Sequence, residues 1–223
     1  MLGAICKLDV LSHPAVTIRC FGWKVFLRAL AAGRSETFLS MVGAGDPFAR
    51  PAGKAFEIVG RCADLELLAK QIYQSAAKRF AQFGRIKRFL ETLAGQEQEH
   101  AELLDLCRIA ASRGRWDGDQ FDPWREAVPL LERQMRQAQS SLESVASVVD
   151  ALRLVLEIES SEINDLFSGV VAASDSDFVR GMRAFRDAAR THIAYICQQI
   201  PVLEPSLAQE SQALREQYPS VTA

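Results

Sequence analysis

From Lys54 onward apolar residues return every three or four positions, the repeat that lays one apolar stripe along an α-helix. Phe56, Val59, Ala63, Leu67, Ile72 and Phe80 carry this repeat as far as Gly84 and predict a first long helix near 54–83. Ile86, Phe89, Leu93, Ala101, Leu104 and Ile109 predict a second near 85–112, with Gly114 beyond it. The repeat fails between 114 and 142. Residues 116–124 have the Asp, Gly and Pro content of a loop, and a shorter helix is expected around 130–139. A third long helix is expected near 143–171, stopped by Gly169 and an Ala-Ala-Ser-Asp turn. Asp175 or Ser176 can cap a fourth that holds Phe178, Met182, Phe185, Ala189 and Ile193 and stops before Pro201. Residues 201–223 read as a polar tail with one helical piece around 209–217.

Short links join the first helix to the second and the third to the fourth, so each pair is an antiparallel hairpin. The long link between the second and third lets the chain cross over. The expected fold is therefore all-α, a ferritin-like four-helix bundle over residues 54–200 with one long crossover. Residues 1–53 form an arm of different character. Residues 15–20 are β-prone, 23–30 make a short amphipathic helix, and Gly43, Gly45, Pro47, Pro51 and Gly53 make a linker. The arm serves either docking, oligomerisation or a membrane surface, or else packs on the bundle beside it. Its Phe21, Trp23, Phe26 and Leu30 favour packing against the bundle or a partner protomer over a solvated arm, and a homodimer or larger homo-oligomer is expected.

Composition narrows the function. The 223 residues suit one domain, and a formal charge of −2 offers no basic field for nucleic acid. No run approaches the roughly 18 apolar residues that span a bilayer. Lys7, Asp9 and His13 interrupt any secretory leader. The cysteines at 6, 20, 62, 107 and 197 form no Cys-x-x-Cys pair, which fits a reducing cytoplasm better than a disulfide framework.

The chemistry concentrates on the second helix, in Glu97-Gln-Glu-His100. A carboxylate and an imidazole three residues apart share one helix face, and this spacing holds metals in helix bundles. The first helix carries Glu66, the third Glu159 and the fourth His192. Glu66 precedes Glu97 and His100 by 31 and 34 residues, and Glu159 precedes His192 by 33. Two hairpins of similar length bring these groups to similar depth. Each Glu sits among Leu, Ile and Val, where an unpaired carboxylate costs several kcal/mol. Tyr73 lies two turns beyond Glu66, placed either to hydrogen-bond a ligand carboxylate or as an ordinary core tyrosine. Cys62, one turn before Glu66, reads as a buried structural thiol.

With Glu66 and Tyr73, Glu97-Gln-Glu-His100-Ala, the run from Ala151 to Glu159 and His192 in this order, residues 54–200 resemble the rubrerythrin branch of the ferritin-like superfamily. The resemblance implies two iron ions, with manganese possible, that react with peroxide or dioxygen or oxidise Fe(II). It also implies metal ligands at Glu66, Glu97, His100, Glu159, Glu162 and His192. Glu162 enters because Ala189 stands where the family has a carboxylate three residues before the last histidine, and the family carries a further Glu three residues after the third-helix ligand. The rubredoxin-like domain is missing, so an electron donor must come from outside the chain. The alternatives are an iron-storage or detoxification subunit, a monooxygenase, and a scaffold whose metal site has degenerated.

Overall fold

The described residues of the structure, a computed structural model, form six α-helices and one short 3-10 turn, with no strand among them. Described are residues 54–111, 122–161, 164–165, 169 and 188–218. The arm at 1–53 and Glu162 lie outside them. The helices are α1 (Lys54–Arg79), α2 (Gly84–Ala111), α3 (Asp122–Ser141), α4 (Val148–Glu159), α5 (Ala188–Leu203) and α6 (Ala208–Gln217), with the 3-10 turn at Pro205–Leu207. No helix among the described residues is long and apolar enough to cross a membrane.

α1 and α2 form the most extensive helix pair. Their apolar stripes face each other, with Val59, Cys62, Leu65, Ile72, Leu90 and Leu93 at most 1% exposed. The turn between them is tight. Phe83 N–H donates to the Phe80 carbonyl at 3.0 Å, and the Phe83 carbonyl accepts the Lys87 N–H at 2.9 Å. Gly84 therefore opens α2 instead of merely ending α1.

α3 begins at Asp122, eight residues before the shorter helix read from the sequence. Its two prolines disguised it. Pro123 sits in the first turn, where the missing N–H has no helical partner to lose. Pro129 lies inside the helix, yet Val128, Leu131 and Met135 around it are buried, so packing outweighs the lost bond. Arg61 of α1 forks onto Glu132 of α3 at 2.8 and 2.9 Å. Trp124, expected in a loop, is in the helix and lies against Gly169. A Cβ at Gly169 would fall 2.5 Å from the indole, so only glycine admits this approach.

α4 is shorter than the predicted 143–171. Ser147 and Asp150 form a capping box that starts it at Val148. It stops at Glu159 because side chains take the carbonyls that a continuing helix would use. Ser161 Oγ donates to the Ile158 carbonyl at 2.5 Å, and Asn164 Nδ2 donates to the Glu159 carbonyl at 3.2 Å.

α5 runs past Pro201 to Leu203. A proline at 201 cannot donate to the Cys197 carbonyl four residues back. Ser211 Oγ of α6 supplies that donor at 3.2 Å. α6 is therefore part of the packed structure, with Leu207, Ser211 and Leu214 at most 1% exposed. It also closes the end of α4, since Gln217 Nε2 donates to the Ser160 carbonyl at 3.1 Å and Tyr218 OH to the Ser161 carbonyl at 3.3 Å. Leu214→Ala should cost about 2–5 kcal/mol in urea unfolding, the range for a buried leucine. A free tail would show no change.

Candidate metal centre

Four helices send charged side chains inward to one place. α1 gives Glu66, α2 gives Glu97 and His100, the last residue of α4 is Glu159, and α5 gives His192. All five are buried, none more than 3% exposed. Their positions follow from helical periodicity. Glu66 lies on the stripe with Cys62, Ala69 and Tyr73, and Glu97 and His100 continue the stripe of Leu90, Leu93 and Ala94. The structure thus brings together five of the six residues singled out in the sequence. The sixth, Glu162, lies outside the described residues.

The five side chains form two overlapping sets of three. Glu66, Glu97 and His100 make one; Glu97, Glu159 and His192 make the other. Within each, one ligand atom per residue lies within 4.8 Å of the others. Glu97 belongs to both. Its Oε2 is 2.9 Å from Nδ1 of His100, and its Oε1 is 3.2 Å from Nε2 of His192. His100 Nδ1 is also 3.6 Å from Glu66 Oε2, an ion-pair contact longer than a hydrogen bond. His192 Nε2 is 2.9 Å from Glu159 Oε2. The two imidazoles meet edge to face, with centroids 5.1 Å apart at 71°.

Burial and charge set the protonation of these groups in opposite directions. Burial pushes the Glu66 carboxyl up to about 8, with Glu97 adding to the rise and His100 opposing it. Burial would raise Glu97 too, but the two histidines on its oxygens outweigh this and hold it at about 2. Burial would lower His100, and the negative charge of Glu97 overcomes it and raises the ring to about 10. His192 is raised in the same way by Glu159 and then Glu97. Burial thus favours the neutral acid at Glu66, while the contact with His100 and His192 favours the carboxylate at Glu97.

The cluster also offers the donor atoms to hold a metal ion. His192 Nε2 is completely buried and close to two carboxylates, yet it is aligned for a hydrogen bond with neither. That leaves one buried ring nitrogen, beside the Glu97 and Glu159 carboxylates, without the hydrogen bond that normally satisfies a buried polar atom. A metal ion held among these groups would give it a partner. The donors are carboxylate and imidazole with no thiolate in either set, which suits iron or manganese more than Cu(I) or a structural zinc.

Comparison with protein-family models, with curated proteins and with solved structures finds no match to this chain. The centre is read from its own chemistry.

Three residues brace the ligands. Tyr73, fully buried, donates its hydroxyl to Glu159 Oε1 at 2.5 Å. Burial and the charge of Glu159 push its phenol well above the usual range, so it remains a neutral donor. Of the two readings left open for Tyr73, the structure shows the hydrogen bond to the Glu159 carboxylate. Asn164 Nδ2 holds the other oxygen, Oε2, at 2.9 Å. Gln96 Oε1 lies 3.0 Å from Nδ1 of His192 and accepts its N–H. Sequence reasoning missed Asn164 and Gln96. Asn164 is five residues beyond Glu159, off its helical face, and Gln96 adjoins Glu97 on a helix where neighbours point apart. Cys62 is fully buried, and burial first and Glu66 second push its thiol up, as expected of an inert cysteine. Glu102, on a different helical face from Glu97 and His100, accepts from Gln98 at 3.1 Å, and Gln98 in turn accepts from Lys70 at 2.6 Å.

Proposed function

We propose that this chain is a ferritin-like dimetal protein that reduces peroxide or oxidises Fe(II), with two iron ions as its cofactor and manganese as the alternative. In this reading α1, α2, α4 and α5 are the four helices of the bundle and α3 lies in the crossover. The observation that carries it is the pair of three-ligand sets joined through Glu97 in one buried place. A shared carboxylate is the arrangement that holds two ions side by side, and a single-ion site has no use for it. The same convergence supports a working centre over a degenerate scaffold, because five buried ionisable groups cost stability unless they bind something.

Bound iron would supply the electrons, one from each of two ions, for peroxide to take up two protons and leave as two waters. The chain does the rest. Glu66 and His100 would hold the first ion and Glu159 and His192 the second, with Glu97 available to both as the member common to the two sets. Leu65, Leu90, Leu93 and Leu152, none more than 1% exposed, contribute to the apolar core that keeps bulk water out. The hydroxyl of Tyr73 fixes Glu159 and keeps a proton within 2.5 Å of it. In this reading electrons return from an external donor, and the cysteines of this sequence form no Cys-x-x-Cys pair.

The test is anaerobic loading with Fe(II) followed by one peroxide per two ions. Iron oxidation should be complete and much faster than for free Fe(II), and Glu159→Ala should remove the acceleration. Oxidation no faster than in buffer would refute the proposed activity.

A further inference from the structure

The two halves of the centre are built differently. Glu66, Glu97 and His100 come from one hairpin, α1 and α2, closed by a tight turn and packed along its length. Glu159 and His192 come from the last residue of α4 and from α5. Among the described residues neither has a partner on its own helix comparable to the Glu97/His100 pair, and groups from elsewhere hold them. His192 is aimed by Gln96, whose Oε1 takes the Nδ1 proton at 3.0 Å and turns Nε2 toward Glu97 and Glu159. Glu159 is aimed by Asn164, which holds both its Oε2 and its carbonyl and is itself 4% exposed.

Both braces are neutral amides. A carboxylate on the far nitrogen of a ligand histidine would fix the ring and also make it a stronger donor. Gln96 only fixes it. The charge of the centre makes this matter. Three ligand carboxylates among the described residues leave one positive charge uncompensated when two divalent ions are bound, and the second ion bears that cost in a low-dielectric interior.

We propose that Gln96 and Asn164 are positioning residues that set the strength of the second metal position, so that Glu66/Glu97/His100 fills first and Glu97/Glu159/His192 fills second. The proposal rests on the dimetal reading above but is tested separately. The chain has three histidines, so the ring nitrogens of His100 and His192 can each be followed by NMR while Zn(II) is titrated into the full-length, chelator-treated protein. In the unsubstituted protein His100 should respond over the first equivalent and His192 over the second. Gln96→Leu should weaken the His192 event about 10–100-fold, the usual loss when a ligand's outer partner is removed, and leave the His100 event unchanged. Gln96→Glu should strengthen the His192 event, and Asn164→Ala should weaken it. A Gln96→Leu protein that weakens both events alike would make Gln96 a merely structural residue and overturn the proposal. So would two histidines that respond together in all variants. An unsubstituted protein that takes up no ion at all would instead overturn the dimetal reading. If Gln96→Leu fails to fold, Gln96→Glu decides, because an unchanged second event in that variant is equally fatal.

Discussion

Glu97→Ala is expected to strip both ions from the protein, whereas Glu66→Ala and Glu159→Ala each lose one. Glu97 is the member common to both ligand sets, and each of its oxygens faces a different histidine. Removing an outer partner of a ligand costs about 10–100-fold in affinity, so removing a shared ligand costs at least that at each position. Metal content after gel filtration, measured per chain, separates the three variants. The fold should survive in each. Loss of Glu97 removes the main counter-charge of His100 and the second of His192 after Glu159, and both rings can shed a proton to become neutral. A Glu97→Ala protein that keeps one tightly bound ion would mean that the two sets do not share a carboxylate.

Removing the metal should make stability strongly pH-dependent, and the sign follows from the direction of each shift. Glu66 and His100 both have folded-state values above their unfolded ones, about 8 against 4.5 and about 10 against 6.5. The folded protein therefore binds more protons than the unfolded chain, and stability falls as pH rises. The Glu66 contribution is lost between about 4.5 and 8, and that of His100 is fully present below 6.5 and lost as pH passes through about 10. Glu97, held at about 2, acts in the opposite sense, so its contribution is present above 4.5 and lost as pH falls toward 2. Chelator-treated protein should accordingly be most stable in mildly acid solution and weaken steadily toward pH 10. Metal-loaded protein should behave otherwise, because ions bind the deprotonated ligands and their hold tightens with pH. At a free ion concentration one hundred times Kd, one site adds about 2.7 kcal/mol. The gap in unfolding midpoint between loaded and stripped protein should thus be larger at pH 9 than at pH 6. A gap that narrows with pH would contradict this protonation scheme.

The helices were legible in the sequence where one apolar stripe ran without interruption. α1 and α2 lie close to their predicted bounds because Val59, Ala63, Ile72 and Phe80, then Ile86, Phe89, Leu93 and Leu104, hold a helical period that packing rewards. The misplaced ends have local causes that periodicity does not register. Pro123 and Pro129 resemble breakers, but one sits where no N–H is needed and the other on a helix held by its buried face. The end of α4 is set by Ser161 and Asn164 competing for carbonyls, and the run of α5 past Pro201 depends on a hydroxyl from Ser211. These are side-chain contacts, one of them made from another helix.

The centre divides in the same way. Glu66, Glu97, His100, Glu159 and His192 announced themselves as charges on apolar stripes at matching intervals along two hairpins. Gln96 and Asn164 gave no such signal, since a polar residue beside a helix stripe or after a helix end is commonplace. Only the approach of α5 to α2, and the turn after Glu159, give them a role.

The most direct measurement is an anomalous difference map from crystals of the full chain loaded with Mn(II). Two peaks are expected, one on each side of the Glu97 carboxylate, the first in contact with Glu66 and His100 and the second with Glu159 and His192. A map with no peak among these five side chains, or with a single peak that Glu97 does not touch, would contradict the dimetal centre.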